Sequence, residues 1–157
     1  MQLSPHFSLE ELIASEVAAR SGIDNTPPAD VLMNLLLLAV GLEKVREILS
    51  NLPIHVTSGY RSKALNAKIH GSLISVHMQG LAADILCPQF GNPLAVCRAV
   101  NAAQLGTDQI IHEFGAWSHI AFPAKGMAPR NFLNTIRSVE LGYELGLNPI
   151  ETRLTHV

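Results

Sequence analysis

The chain has 157 residues, of which 48% are hydrophobic and 15% charged. That length can bury the core of one domain, and that composition excludes an intrinsically disordered chain. A formal net charge of −2 supplies no electrostatic footprint for nucleic acid or an anionic membrane surface, so neither is an expected partner.

The opening segment, Met1 to Ser8, has no basic or apolar signal region, which predicts cytoplasmic synthesis without a signal peptide. Ser8 and Glu11 stand at capping-box spacing and predict a helix that runs to Ser21 and stops at Gly22. Ile23 to Pro28 is a turn-rich connection. Ala29 to Asn51 reads as one long helix, with Leu32, Leu35, Leu36, Ala39, Leu42, Val45 and Leu49 at helical spacing. It is apolar enough for the centre of the domain, and Gly41 would let another element pack closely. Its apolar run Leu35 to Val40 is bracketed too closely by Asn34 and Glu43 for a membrane span. Pro53 ends the helix, and Ile54 to Ser58 alternate as a strand in which His55 reads as structural.

Ser58-Gly59-Tyr60-Arg61-Ser62 follows, a tight turn that aims Arg61 from the strand's end. Arginine is always charged, and its fork of donors suits a carboxylate or an oxyanion. His70 reads as exposed. In Ser75-Val76-His77-Met78-Gln79-Gly80-Leu81-Ala82-Ala83-Asp84-Ile85, a loop carrying His77 enters a short buried strand that fixes Asp84. Ser75 could orient His77 through a hydrogen bond of the kind metal-bound histidines require. Gln79 either does the same or is a solvated loop residue.

Cys87 and Cys97 are ten apart, lack a C-x-x-C spacing and read as free buried thiols. Pro93 to Leu105 predicts a helix. Asp108 to Phe114 and Trp117 to Phe122 predict a hairpin whose alternation puts Trp117, His119 and Ala121 on one face. Glu113 joins that face if the turn bends suitably. Pro123 to Pro129 is a loop, Arg130 to Thr135 ends the core, and Ile136 to Leu147 reads as a final amphipathic helix before Asn148-Pro149. Glu151 to Val157 reads as a loose tail in which His156 has no role. The expectation is one domain over 1–157, with a core over about 1–135. Two histidines and one aspartate leave a position open on tetrahedral zinc, the arrangement of a catalytic site.

Ser-Gly-Tyr-Arg-Ser at 58–62, Ser-x-His-x-x-Gly-x-Ala-x-Asp at 75–84 and Trp-x-His at 117–119 resemble, in order and interval, the zinc D-Ala-D-Ala carboxypeptidase family. That is peptidase family M15, which also contains phage endolysins that cut peptidoglycan peptides. Phe7 to Pro27, with Gly22-Ile-Asp-Asn25, resembles the start of that family, and Leu65-Asn66 and Gly71 extend the arginine motif. The resemblance implies an α+β fold, with helices packed on a small, mostly antiparallel sheet that carries the metal on one face. It implies zinc as cofactor, His77, Asp84 and His119 as its ligands, and the peptidoglycan stem peptide as substrate. Arg61 would contact substrate and stabilise the negative charge that develops on the attacked carbonyl oxygen. Glu113 would be the general base, with Asp108 as a weaker competitor. Ser75 and Trp117 complete the expected substrate contacts, Trp117 as a pocket wall, a stacking surface or a plain core residue. The enzyme is expected to be a monomer that reaches the wall at host lysis or on a phage particle. The competing class is a zinc-containing domain that binds cell wall without cutting it, or a phage structural domain. A pure binder has no need of Glu113 and Arg61.

Overall fold

A computed structural model describes residues 1–150 of the chain. The expected tail at 151–157 lies outside the described residues. The elements are α1 (Leu9–Ile13), α2 (Glu16–Ser21), α3 (Ala29–Ile48), β1 (His55–Ser58), α4 (Lys63–Lys68), β2 (Ala82–Leu86), α5 (Pro93–Ala102), β3 (Gln109–Glu113), β4 (Trp117–Ala121), β5 (Phe132–Ile136) and β6 (Tyr143–Leu145). A 3-10 turn (Val76–Gln79) precedes β2. The class is α+β. The sheet has six strands in the order β1-β2-β4-β3-β5-β6. It is mostly antiparallel, as expected, with β3–β5 as the parallel pair.

Period-2 alternation divides the sheet into two faces. Ala83, Ile85, Ile110 and Ile120 face the core, where they meet Leu35, Leu38, Leu42 and Val45 of α3 and Val96 and Val100 of α5. Phe122 lies against Gly41, where any larger side chain would collide with its ring, so the close approach expected at that glycine is real. Their strand neighbours Asp84, Ile111 and His119 take the opposite face. No helix among the described residues is long and apolar enough to cross a membrane. Cys87 and Cys97 are free and buried, and burial pushes the Cys97 thiol up to about 12.

Two expected elements differ. The single helix over 8–21 is two helices. Ser15 caps the second by accepting from the Ala18 amide, as Ser8 caps the first by accepting from Glu11. A continuous helix would need the carbonyls of Leu12 and Ile13 for the amides four residues on. Those carbonyls instead accept from the Tyr60 amide at 2.7 Å and the Asn25 side chain at 2.8 Å. Tertiary partners thus end α1 early, and Gly22 ends α2 as read.

The predicted helix over 136–147 is absent. Ile136 closes β5, and Tyr143–Leu145 form β6 after a turn. Gly142 and Gly146 both have left-handed φ, at 68° and 85°, which an α-helix interior cannot hold. The apparent apolar stripe is not a buried face: Val139, Leu141 and Leu145 are 78%, 71% and 87% exposed. Ile136 belongs to β5 through its pairing with Glu113 on β3, and Tyr143 to Leu145 return antiparallel along the other edge of β5.

Candidate metal and active site

Strand register brings the two distant motifs together. Asp84 on β2 pairs with His119 on β4, so their side chains leave the sheet side by side on one face. His77 reaches them from the 3-10 turn, which Gly80 ends in a left-handed conformation at φ 69°. The ligand atoms of His77, Asp84 and His119 all lie within 4.8 Å of one another, and all three residues are buried. Asp84 Oδ1 is 3.0 Å from His119 Nδ1 and 3.2 Å from His77 Nε2.

The outer partners turn these atoms inward. His77 Nδ1 is 2.7 Å from the Gly59 carbonyl oxygen, which can only accept, so Nδ1 donates and Nε2 keeps its lone pair for the cluster. Gly59 has to be glycine here, because a Cβ would strike the Leu12 carbonyl. Ser75 does not hold His77, contrary to expectation; that place belongs to the Gly59 carbonyl, and Ser75 is half-buried just before the turn. Gln79 is an exposed turn residue whose backbone carbonyl accepts from Asn34. A second partner that sequence reasoning missed is Gln109, whose Oε1 is 2.9 Å from His119 Nε2.

Arg61 is turned onto the cluster. Its Nη2 donates to Asp84 Oδ2 at 2.7 Å and its Nε to the Ser58 hydroxyl at 2.9 Å. The other carboxylate oxygen stays with the histidines. The Asp84 carboxylate is buried, and the Arg61 guanidinium paired with it offsets its charge. A carboxylate beside two inward-facing imidazole nitrogens is a donor set that fits a divalent metal held by three protein ligands.

Glu113 takes its place through the hairpin turn. Phe114 and Gly115 are both left-handed, at φ 56° and 68°, and the Ala116 amide bonds the Glu113 carbonyl at 2.9 Å. That turn sets Glu113 opposite Trp117 and Ile111 opposite His119, so Glu113 shares the face of the cluster. Its Oε1 is 3.9 Å from His119 Nδ1, and its Oε2 accepts from the Trp117 indole N–H at 2.9 Å. Burial pushes the Glu113 carboxyl above its ordinary value and the Asp84 charge adds to this, against the pull of His119, the Trp117 bond and Arg61. Asp108 is engaged elsewhere: Arg130 Nη2 donates to it at 2.6 Å and the Arg130 amide at 2.9 Å.

A groove of about 630 Å³ opens beside the cluster between α1–α2, β1 and α4, with Arg61, Asp84, Trp117, Tyr60, Leu65 and Arg20 among its walls. Ser75 is not among the groove residues. Asn25, unremarked in the sequence beyond its place in a turn, secures the groove's arginine. Its amide nitrogen donates to the carbonyl of Tyr60 and its oxygen accepts from the amide of Ser62, the two neighbours of Arg61. His55 and His70 are exposed, and the buried His112 meets the Asn148 carbonyl, so none of them joins the cluster.

A buried two-histidine, one-carboxylate cluster with an acid beside it and a groove next to it is an arrangement that suits a metal-dependent hydrolase. The family model for Peptidase M15 matches residues 5–121. The chain belongs to that family of metallopeptidases, and the match spans Arg61, the three cluster residues and Glu113. No curated protein matches the chain.

Proposed function

We propose that this peptidase uses zinc to hydrolyse the stem peptides of peptidoglycan, as a D-Ala-D-Ala carboxypeptidase or an endopeptidase. The motifs at 58–62, 75–84 and 117–119 support that substrate through their resemblance to cell-wall enzymes. The observation that carries the catalytic reading is Glu113, a half-buried carboxyl on the face of the cluster with Oε1 3.9 Å from His119 Nδ1, whose pKa burial raises.

Zinc in such a site supplies Lewis acidity and makes water a nucleophile near neutral pH. His77, Asp84 and His119 would hold it. Glu113 takes the proton of the attacking water and returns it to the leaving amine, a task its raised pKa suits. Arg61 keeps Asp84 ionised and oriented from the back. Arg61 also lines the groove, where it would meet the substrate's carbonyl or carboxylate oxygens. Trp117 fixes Glu113 with its indole N–H and walls the groove with its ring. We further propose a monomer, encoded by a phage or prophage, that meets the wall at host lysis or on a phage particle.

The test is digestion of purified peptidoglycan followed by mass analysis of the released ends. The wild type is expected to produce new amino and carboxyl ends. Glu113→Gln should keep its zinc yet lose about a hundred- to ten-thousand-fold in rate, the usual worth of a general base. Wall binding by a zinc-loaded wild type that releases no ends would replace the enzyme with a binding module.

A further inference from the structure

The side chain of Gln109 carries an inference about the chain that follows from how the cluster's protons are placed. Gln109 opens β3, is half-buried, and pairs with Ala121, two residues past His119 on β4. Its side chain therefore leaves the sheet on the metal-site face and reaches the outer edge of the His119 ring. The atom that arrives there is the amide oxygen, 2.9 Å from Nε2. An amide oxygen only accepts, so Nε2 must carry the ring proton, and a neutral imidazole has only one. Nδ1 is then left with its lone pair, 3.0 Å from Asp84 Oδ1 and 3.2 Å from His77 Nε2.

The Gly59 carbonyl performs the same service for the opposite nitrogen of His77. The two rings are thus presented in opposite senses, one through Nε2 and one through Nδ1, each because an acceptor behind it takes the other N–H. Three lone-pair atoms facing one another at these distances repel unless a cation lies among them. Gly59 acts through backbone and cannot be deleted by substitution, whereas Gln109 acts through a side chain and can. A neutral amide also supplies this acceptor without a further negative charge beside Asp84 and Glu113.

We propose that Gln109 is the positioning residue of the metal centre: it selects the Nε2–H tautomer of His119 and so makes Nδ1 the ligating atom. This rests on the metal reading above. The test compares zinc affinity, by competition with a chelator, in wild type, Gln109→Leu and Gln109→Glu, with the melting temperature of each metal-free protein as a control on folding. Gln109→Leu keeps bulk but has no acceptor and is expected to bind zinc roughly ten- to a hundred-fold more weakly, the usual effect of losing a ligand's outer partner. Gln109→Glu keeps an acceptor and should bind within a few-fold of wild type. Nitrogen NMR of the zinc-loaded wild type should show His119 metallated at Nδ1 and protonated at Nε2. Equal affinity in wild type and Gln109→Leu, a Glu variant as weak as Leu, or metal on Nε2 of His119 overturns the proposal while leaving the peptidase reading intact. A wild type that takes up no zinc overturns both.

Discussion

Trp117 and Glu113 show how a single hydrogen bond can separate two roles. The indole N–H lies 2.9 Å from Glu113 Oε2, while the ring lines the groove. Trp117→Phe keeps a ring and removes the donor. If the bond aligns the base, kcat should fall about tenfold, the worth of one hydrogen bond to a charged group, with KM nearly unchanged. A rise in KM at constant kcat would assign Trp117 to substrate stacking instead. The side chains converging at this centre were legible from residue type and motif: His77, Asp84, His119, Glu113 and Arg61 all meet at it. Their supports were not. Gly59, Gln109 and Asn25 act on residues 18, 10 and 35 or more positions away in the chain, and no periodicity links an acceptor to a ring it meets only after folding. Trp117 was legible as a pocket residue, but its bond to Glu113 depends on hairpin register. Ser75 failed as a support because nearness in sequence was used where a backbone carbonyl from another segment arrives first.

At the scale of elements, the site hangs on joints between them more than on the strands themselves. The segment carrying Arg61 is held at Tyr60 and Ser62 by Asn25, which also closes the end of α1 through the Ile13 carbonyl. Asn25→Ala removes all three bonds. Misplacement of the arginine is expected to lower cleavage by up to about a hundredfold, with zinc content retained, and elemental analysis alongside rate measurement checks it. Unchanged cleavage would mean that the Arg61 segment is held without it. Strands β1 to β4 and helices α3 and α5 announced themselves because each has a period, a cap or a breaker in its own sequence. The break between α1 and α2 did not, since it depends on donors from Asn25 and Tyr60. Residues 136–147 misled for a related reason. Their apolar spacing imitates a helix, but the outer edge of β5, on which β6 pairs, and two left-handed glycines decide for a turn and a strand.

Across the whole molecule, the centre is one face of a sheet whose other face is the core, so fold stability and site geometry share the same strands. Asp108 and Arg130 tie the loop before β5 to the start of β3. The Arg130 bonds hold the Asp108 carboxyl below its ordinary value of 3.8, against the opposing effect of burial. The folded value is thus the lower one. The unfolded chain binds more protons between the two values, and the stabilisation is complete above the unfolded value and lost as pH falls through the folded one. Asp108→Asn should cost roughly 1–2 kcal/mol at neutral pH, a modest figure because water can rehydrate Arg130, which is 60% exposed. The gap in melting temperature from wild type should narrow below about pH 4. If Asp108→Asn instead matched the loss of activity expected for Glu113→Gln, Asp108 would be the base.

The central claim, that His77, Asp84 and His119 hold a zinc on which peptide cleavage depends, is tested most directly by titrating zinc into chelator-stripped protein while following cleavage of purified peptidoglycan. Activity should be absent at the start, rise in proportion to added zinc, and break at about one equivalent per chain, as a single three-ligand site requires. His119→Ala should show neither the rise nor the break. Cleavage that persists in fully stripped protein, or that His119→Ala recovers with the same stoichiometry, would contradict the account.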